Sequence, residues 1–120
     1  NLGTSKEDLI VAIGPSISKN NYLLDRETLQ EFNKNVMHKE QIRSSDSIGI
    51  LYNLKNLDKF KKQDLISLDL KKYAHMQLLN ENIPSKNIDI SSICTYESTD
   101  DFFSWRRSKT LLRQWNFISS

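Results

Sequence analysis

Leu9-Ile10-Val11-Ala12-Ile13-Gly14-Pro15-Ser16 is the stretch on which the fold turns. Five apolar residues in a row, without alternation, predict a strand buried on both faces, as in parallel sheets. Gly14-Pro15 then ends it. Pro15 has no N–H to give to a ladder, and Gly14 has access to backbone angles closed to other residues. The expected result is a rigid turn at the carboxyl end of a buried strand, where α/β proteins place ligand sites.

Working outward, Asp25 has the side chain of a helix cap, and residues 26–37 carry Leu29, Phe32 and Val36 on one face. Residues 38–47 read as a polar loop, 48–52 as a second strand, 53–63 as a solvated connection and 64–68 as a short strand. A second helix is predicted over 69–82, with Leu70, Tyr73, Ala74, Gln77 and Leu78 facing inward. Pro84 ends it, because the residue before proline avoids helical angles. Ile88-Asp89-Ile90 and Ile93 show the partial alternation of a half-buried strand, leading into Cys94-Thr95-Tyr96. An acidic turn over 97–101, a strand over 102–105, a basic loop over 106–112 and a last strand over 114–118 complete the reading. Strands and helices mixed in this way predict an α/β (α+β) layered sandwich with a mixed β-sheet.

The 120 residues make one domain or part of one. With 38% hydrophobic and 27% charged residues, the chain reads as an ordinary soluble protein rather than a disordered or fibrous one. No apolar run is long enough to span a bilayer, and no membrane partner is expected. The first five residues have neither the basic nor the apolar region of a secretory leader. A single cysteine, Cys94, excludes an internal disulfide and fits a reducing compartment, the cytoplasm. A net charge of +2 argues against a nucleic-acid partner. The opening at Asn1, without Met, fits either a trimmed chain or the tail of something longer.

Three clusters carry chemistry. Gly14-Pro15-Ser16 could hold the Ser16 hydroxyl and N–H toward a ligand, or could simply reverse the chain. Cys94-Thr95-Tyr96 offers hydrogen-bond donors; Cys94 has no histidine nearby in sequence and reads as a buried structural thiol. Ser104-Trp105-Arg106-Arg107, followed by Lys109 and Arg113, puts four cations within eight positions. Guanidinium forks match phosphate and carboxylate oxygens. The alternatives are a base-stacking surface using Phe103 and Trp105, and a solvated loop paired with Glu97, Asp100 and Asp101. His38 and His75 lack a second ligand at metal spacing and read as structural.

In this order the motifs resemble the C-terminal half of the laccase-domain family, also called polyphenol oxidoreductase-like or peptidoglycan-editing-factor. Ala12-Ile13-Gly14-Pro15-Ser16-Ile17 with Tyr22 is similar to the family's strand and Gly-Pro turn. Leu68-Asp69-Leu70, with Gln77-Leu78 further along, is similar to its Asp-led helix. Cys94-Thr95-Tyr96 and Phe102-Phe103-Ser104-Trp105-Arg106-Arg107 resemble its terminal signature, which continues through Lys109-Thr110, Arg113 and Phe117-Ile118. Two positions depart: Leu112 stands where the family usually has glycine before its final arginine, and Trp105 where it usually has tyrosine.

The resemblance implies that residues 1–120 are the C-terminal part of a single laccase domain. It implies a metal-dependent purine nucleoside phosphorylase, acting on adenosine or inosine with phosphate and with adenosine deaminase activity besides. Zinc is the implied metal, with copper and polyphenol oxidation as the alternative. The family's two-histidine, one-cysteine ligand set belongs to its N-terminal half, so no metal ligand is expected in this chain. The fragment alone is expected to be inactive. Ser16, Thr95, Tyr96, Arg106, Arg107 and Arg113 are the expected substrate-binding residues, Arg106 facing inward and Arg107 away if the two alternate along a strand. A non-catalytic binding or scaffold module is the competing reading.

Overall fold

The computed structural model describes residues 3–36 and 64–119. Strands β1 (Val11–Ile13), β2 (Leu23–Leu24), β3 (Ile66–Ser67) and β4 (Ile88–Ile90) are joined with helices α1 (Arg26–Val36), α2 (Leu70–Asn80) and α3 (Trp105–Ser108). β1 and β4 pair in parallel, Val11 opposite Ile88 and Ile13 opposite Ile90. β2 and β3 pair antiparallel, Leu23 opposite Ser67 and Leu24 opposite Ile66. A parallel pair needs a crossover, and α2 lies between its strands in sequence and packs against both. The chain is therefore α/β, with both senses of pairing divided between two small sheets among the described residues. The strand expected over 48–52 and the polar segments on either side of it lie outside the described residues.

Local chemistry sets the helix ends. The Thr28 N–H donates to Asp25 Oδ1 at 2.7 Å, the cap anticipated for α1. That bond holds the Asp25 carboxyl below the usual carboxylate range. Asp69 caps α2, accepting from the Lys72 N–H at 3.0 Å. α2 stops before Pro84 is reached. Asn82 takes the left-handed conformation with φ 64°, and the Ile83 N–H donates back to the Leu78 carbonyl at 3.1 Å. This is the six-to-one closure of a helix that ends in a left-handed residue.

The core gathers Leu24, Leu29, Ile66, Leu68, Tyr73 and Met76, with Tyr22 and Leu70 packed at its edge. Met76 was not on the expected inner stripe of α2, yet it is buried with Tyr73 one turn away. A straight chain with a soft thioether fills the gap. Ala74, Gln77 and Leu78 are only partly covered.

Three strand expectations are corrected. The first strand is shorter than 9–13, and it is not buried on both faces: Ile10 is 86% exposed and Ala12 is also exposed. β1 has a ladder on one side only among the described residues. Residues 102–105 are not a strand. Trp105 opens α3, where the N–H groups of Arg107 and Ser108 both donate to the Ser104 carbonyl at 3.1 Å. Aromatic β-propensity yields there because no strand among the described residues offers it a ladder. Residues 114–118 form no strand for the same reason, and Phe117 is left 90% exposed.

Candidate functional site

The two parallel strands aim their carboxyl ends the same way, and the motifs that follow them converge. Beyond β1 and β4 the pairing continues as an isolated bridge between Ser16 and Cys94. The Ser91 N–H donates to the Ile13 carbonyl at 2.9 Å and the Thr95 N–H to the Ser16 carbonyl at 3.2 Å. Ser16, Thr95 and Tyr96 thus share one end of the sheet. Gly14 contributes no special backbone angle; its φ is not positive and an added Cβ would meet open space. The turn expected at Gly14-Pro15 is therefore corrected: the chain runs on past Pro15 to the parallel bridge at Ser16 and turns only at residues 19–21.

Past Ser16 the chain folds back on itself. The N–H groups of Asn21 and Tyr22 both donate to the Ser18 carbonyl at 3.0 Å. This tight loop is fastened to the Cys94–Ser98 turn through side chains. The Ser18 N–H approaches Cys94 Sγ at 3.2 Å, with Asn21 Nδ2 at 3.7 Å. Asn21 Nδ2 also donates to Glu97 Oε1 at 2.5 Å. Cys94 and Glu97 lie more than seventy positions from Asn21, so no local pattern marked its side chain's role.

Cys94 is only 6% exposed. Burial pushes its thiol up, but hydrogen bonds from the Ser18 side chain and N–H, and from the Glu97 and Tyr96 N–H groups, favour the thiolate and bring it down from 9.0 to about 7. The unfolded chain therefore binds more protons between those two values, and this group's contribution to stability rises across that window. It is lost as pH falls through about 7. The folded protein should show thiolate ultraviolet absorbance appearing with a midpoint near pH 7 that is absent in Cys94→Ser. A midpoint unchanged on unfolding would show that the loop does not stabilise the thiolate.

The arginines separate sharply. Arg106 Nη1 donates to the Leu23 carbonyl at 3.1 Å, and its guanidinium carbon lies 5.0 Å from the centre of the Tyr22 ring. Arg106 and Tyr96, with Asn20, Asn21, Asp25 and Thr28, line a cavity of about 490 Å³. Arg107 is instead turned into the backbone. Its guanidinium donates to the carbonyls of Thr95 at 2.9 Å, Tyr96 at 2.7 Å and Phe102 at 2.5 Å. The cause is not alternation along a strand: neighbours on a helical turn point about 100° apart. Arg113 bonds the Thr110 and Leu112 carbonyls of its own loop and does not line this cavity. Neither Ser16 nor Thr95 lines it; the Ser16 hydroxyl is buried without a hydrogen-bond partner in the structure. Trp105 has Lys109 Nζ 3.7 Å from its ring centre, so that face is occupied. Lys109, and not Leu112, takes the left-handed angle in this segment, with φ 54°.

The chain matches the multi-copper polyphenol oxidoreductase laccase family over residues 1–120. It belongs to that family. A purine nucleoside phosphorylase of Bacteroides thetaiotaomicron is 32% identical over 105 residues, which cover 88% of this chain and 34% of the relative. A purine nucleoside phosphorylase of Synechocystis is 28% identical, covering 99% of this chain and 46% of the relative. The chain thus spans between a third and a half of the length of these curated relatives. No solved structure matches it.

The family's name carries a metal, and the described residues do not fit one. Among them no group of three or more His, Cys, Asp or Glu stands close enough to hold an ion. The Cys94 sulfur faces N–H donors, and His75 lines a cleft with lysines. His38 lies outside the described residues. No helix among the described residues is long and apolar enough to cross a membrane.

Proposed function

We propose that the intact protein is a metal-dependent purine nucleoside phosphorylase, of which residues 1–120 form the C-terminal part of a single laccase domain. The observation that carries this reading is Arg106 and Tyr96 lining one cavity at the carboxyl end of the parallel strands. The names of the two relatives point the same way. Phosphorolysis brings phosphate to C1′ of the ribose as the glycosidic C–N bond breaks and the purine leaves with a proton. The sugar passes through an oxocarbenium-like state, so a fixed cation beside the incoming anion and polar groups around the nucleoside are what the reaction requires. Arg106 is suited to the anion, and the Tyr96 hydroxyl with the Asn20 and Asn21 amides to ribose or base. Ser16 and Thr95 support the turn that carries these groups. Arg107 shapes the cavity wall, and Arg113 acts from the following loop. Zinc, with copper as the alternative, would be held by residues outside this chain, and the fragment alone would be inactive. Adenosine deamination belongs to the same reading, as does a cytoplasmic setting.

In the intact protein, Arg106→Ala should lower kcat/KM for inosine phosphorolysis by about 10- to 150-fold. That is the ~1.5–3 kcal/mol scale of a charge-assisted hydrogen bond. Unchanged kinetics in a folded variant would remove Arg106 from the site. Polyphenol oxidation, the activity in the family's name, is the second reading. Phenol oxidation without phosphorolysis in the same preparation would favour it.

A further inference from the structure

On the other side of Asn20 from the Arg106 cavity lies a second and larger cleft, of about 670 Å³. Its walls come from three places in the chain: the loop carrying Lys19, the first turns of α2, and the Ser91-Ser92 segment after β4. Lys71, Lys72 and His75 come from α2. Three lysines face it against one carboxylate, Asp69. Asp69 is committed to capping α2 through the Lys72 N–H. Lys71 is committed too: its Nζ donates to the carbonyls of Ser91 at 2.7 Å and Ile93 at 2.6 Å. That leaves Lys19 and Lys72, both exposed and on different segments, as the lining lysines able to turn to a ligand. The Ser92 hydroxyl and the Asn20 amide add neutral donors around them.

We propose that this cleft binds a phosphate monoester of a small polar molecule, at a site separate from the Arg106 cavity. The chemistry is that of a phosphoryl group, which spreads charge over three oxygens and takes several donors at once. Two exposed ammonium groups with a hydroxyl and an amide beside them suit a phosphoryl group better than they suit a ligand with a single carboxylate. The volume is far larger than a bare phosphate requires, which leaves room for the organic part beside Ile17 and Ile90. The assignment does not depend on the nucleoside reading of the neighbouring cavity.

The test is titration calorimetry on the intact protein with ribose 5-phosphate, ribose and inorganic phosphate. Ribose 5-phosphate should bind, inorganic phosphate more weakly and ribose not at all. The Lys19→Gln, Lys72→Gln double variant should bind ribose 5-phosphate at least ~10-fold more weakly, since each charged contact is worth about 1.5 kcal/mol or more. Arg106→Ala should leave that affinity unchanged. Lysine acetylation read by mass spectrometry gives a check that needs no variant: ribose 5-phosphate should protect Lys19 and Lys72. Equal binding of ribose, full affinity in the double variant, or no protection would overturn the site. Loss in Arg106→Ala with retention in the double variant would overturn it too, and would place the phosphoryl group in the other cavity.

Discussion

Arg107→Ala should destabilise the intact protein by about 3–5 kcal/mol. Three carbonyls, of Thr95, Tyr96 and Phe102, accept from this one guanidinium. A hydrogen bond to a charged group contributes about 1.5–3 kcal/mol, and bonds sharing a donor group do not add fully. Removing the side chain also leaves partly buried carbonyls without a donor, and that loss is not recovered by repacking. Arg107→Lys should recover only part of the loss, because an ammonium cannot span three carbonyls as a planar fork does. Arg106→Ala should barely move the midpoint of a denaturant titration, since its one carbonyl contact is exposed. If the two variants unfold at the same denaturant concentration, the division of labour between the arginines is wrong.

Leu29→Ala should cost about 2–5 kcal/mol, the range for emptying a filled aliphatic site. Leu29 is 1% exposed and sits where α1 meets Leu24, Ile66, Tyr73 and Met76. Typical domains hold only about 5–15 kcal/mol in total, so the variant should melt well below the parent. Leu29→Met keeps most of the volume and should cost less than about 1.5 kcal/mol. A small loss in Leu29→Ala would mean that the α1–α2 layer is not where the stability lies. Because Arg107 and Leu29 share no partners, their effects should add in the double variant.

Much of the scaffold was legible from residue chemistry alone. Asp25 announced α1, because a capping carboxylate acts on the backbone three residues ahead; Asp69, expected inside α2, proves to be its cap. Ile88-Asp89-Ile90 announced β4 through its pattern. The Phe102–Trp105 and 114–118 segments misled because aromatic and β-branched residues favour strands only when a partner strand is present. The candidate site was half legible. Arg106 and Tyr96 came from their motifs, while Asn20, Asn21 and Lys71 had no sequence signal.

The sequence by itself determined what depends on neighbours a few residues apart. It gave rise to the helix starts, the α/β alternation and the family signature. Tertiary structure alone decided which end of each side chain finds a partner. Arg106 and Arg107 are chemically identical and adjacent, yet one lines a cavity and the other is spent on three carbonyls. Cys94 reads as an inert buried thiol until Ser18 and Asn21, more than seventy positions away, bring donors to its sulfur. Hydrogen bonds and electrostatics act over a few ångströms of space. Separation along the chain says nothing about such distances until the strands have paired.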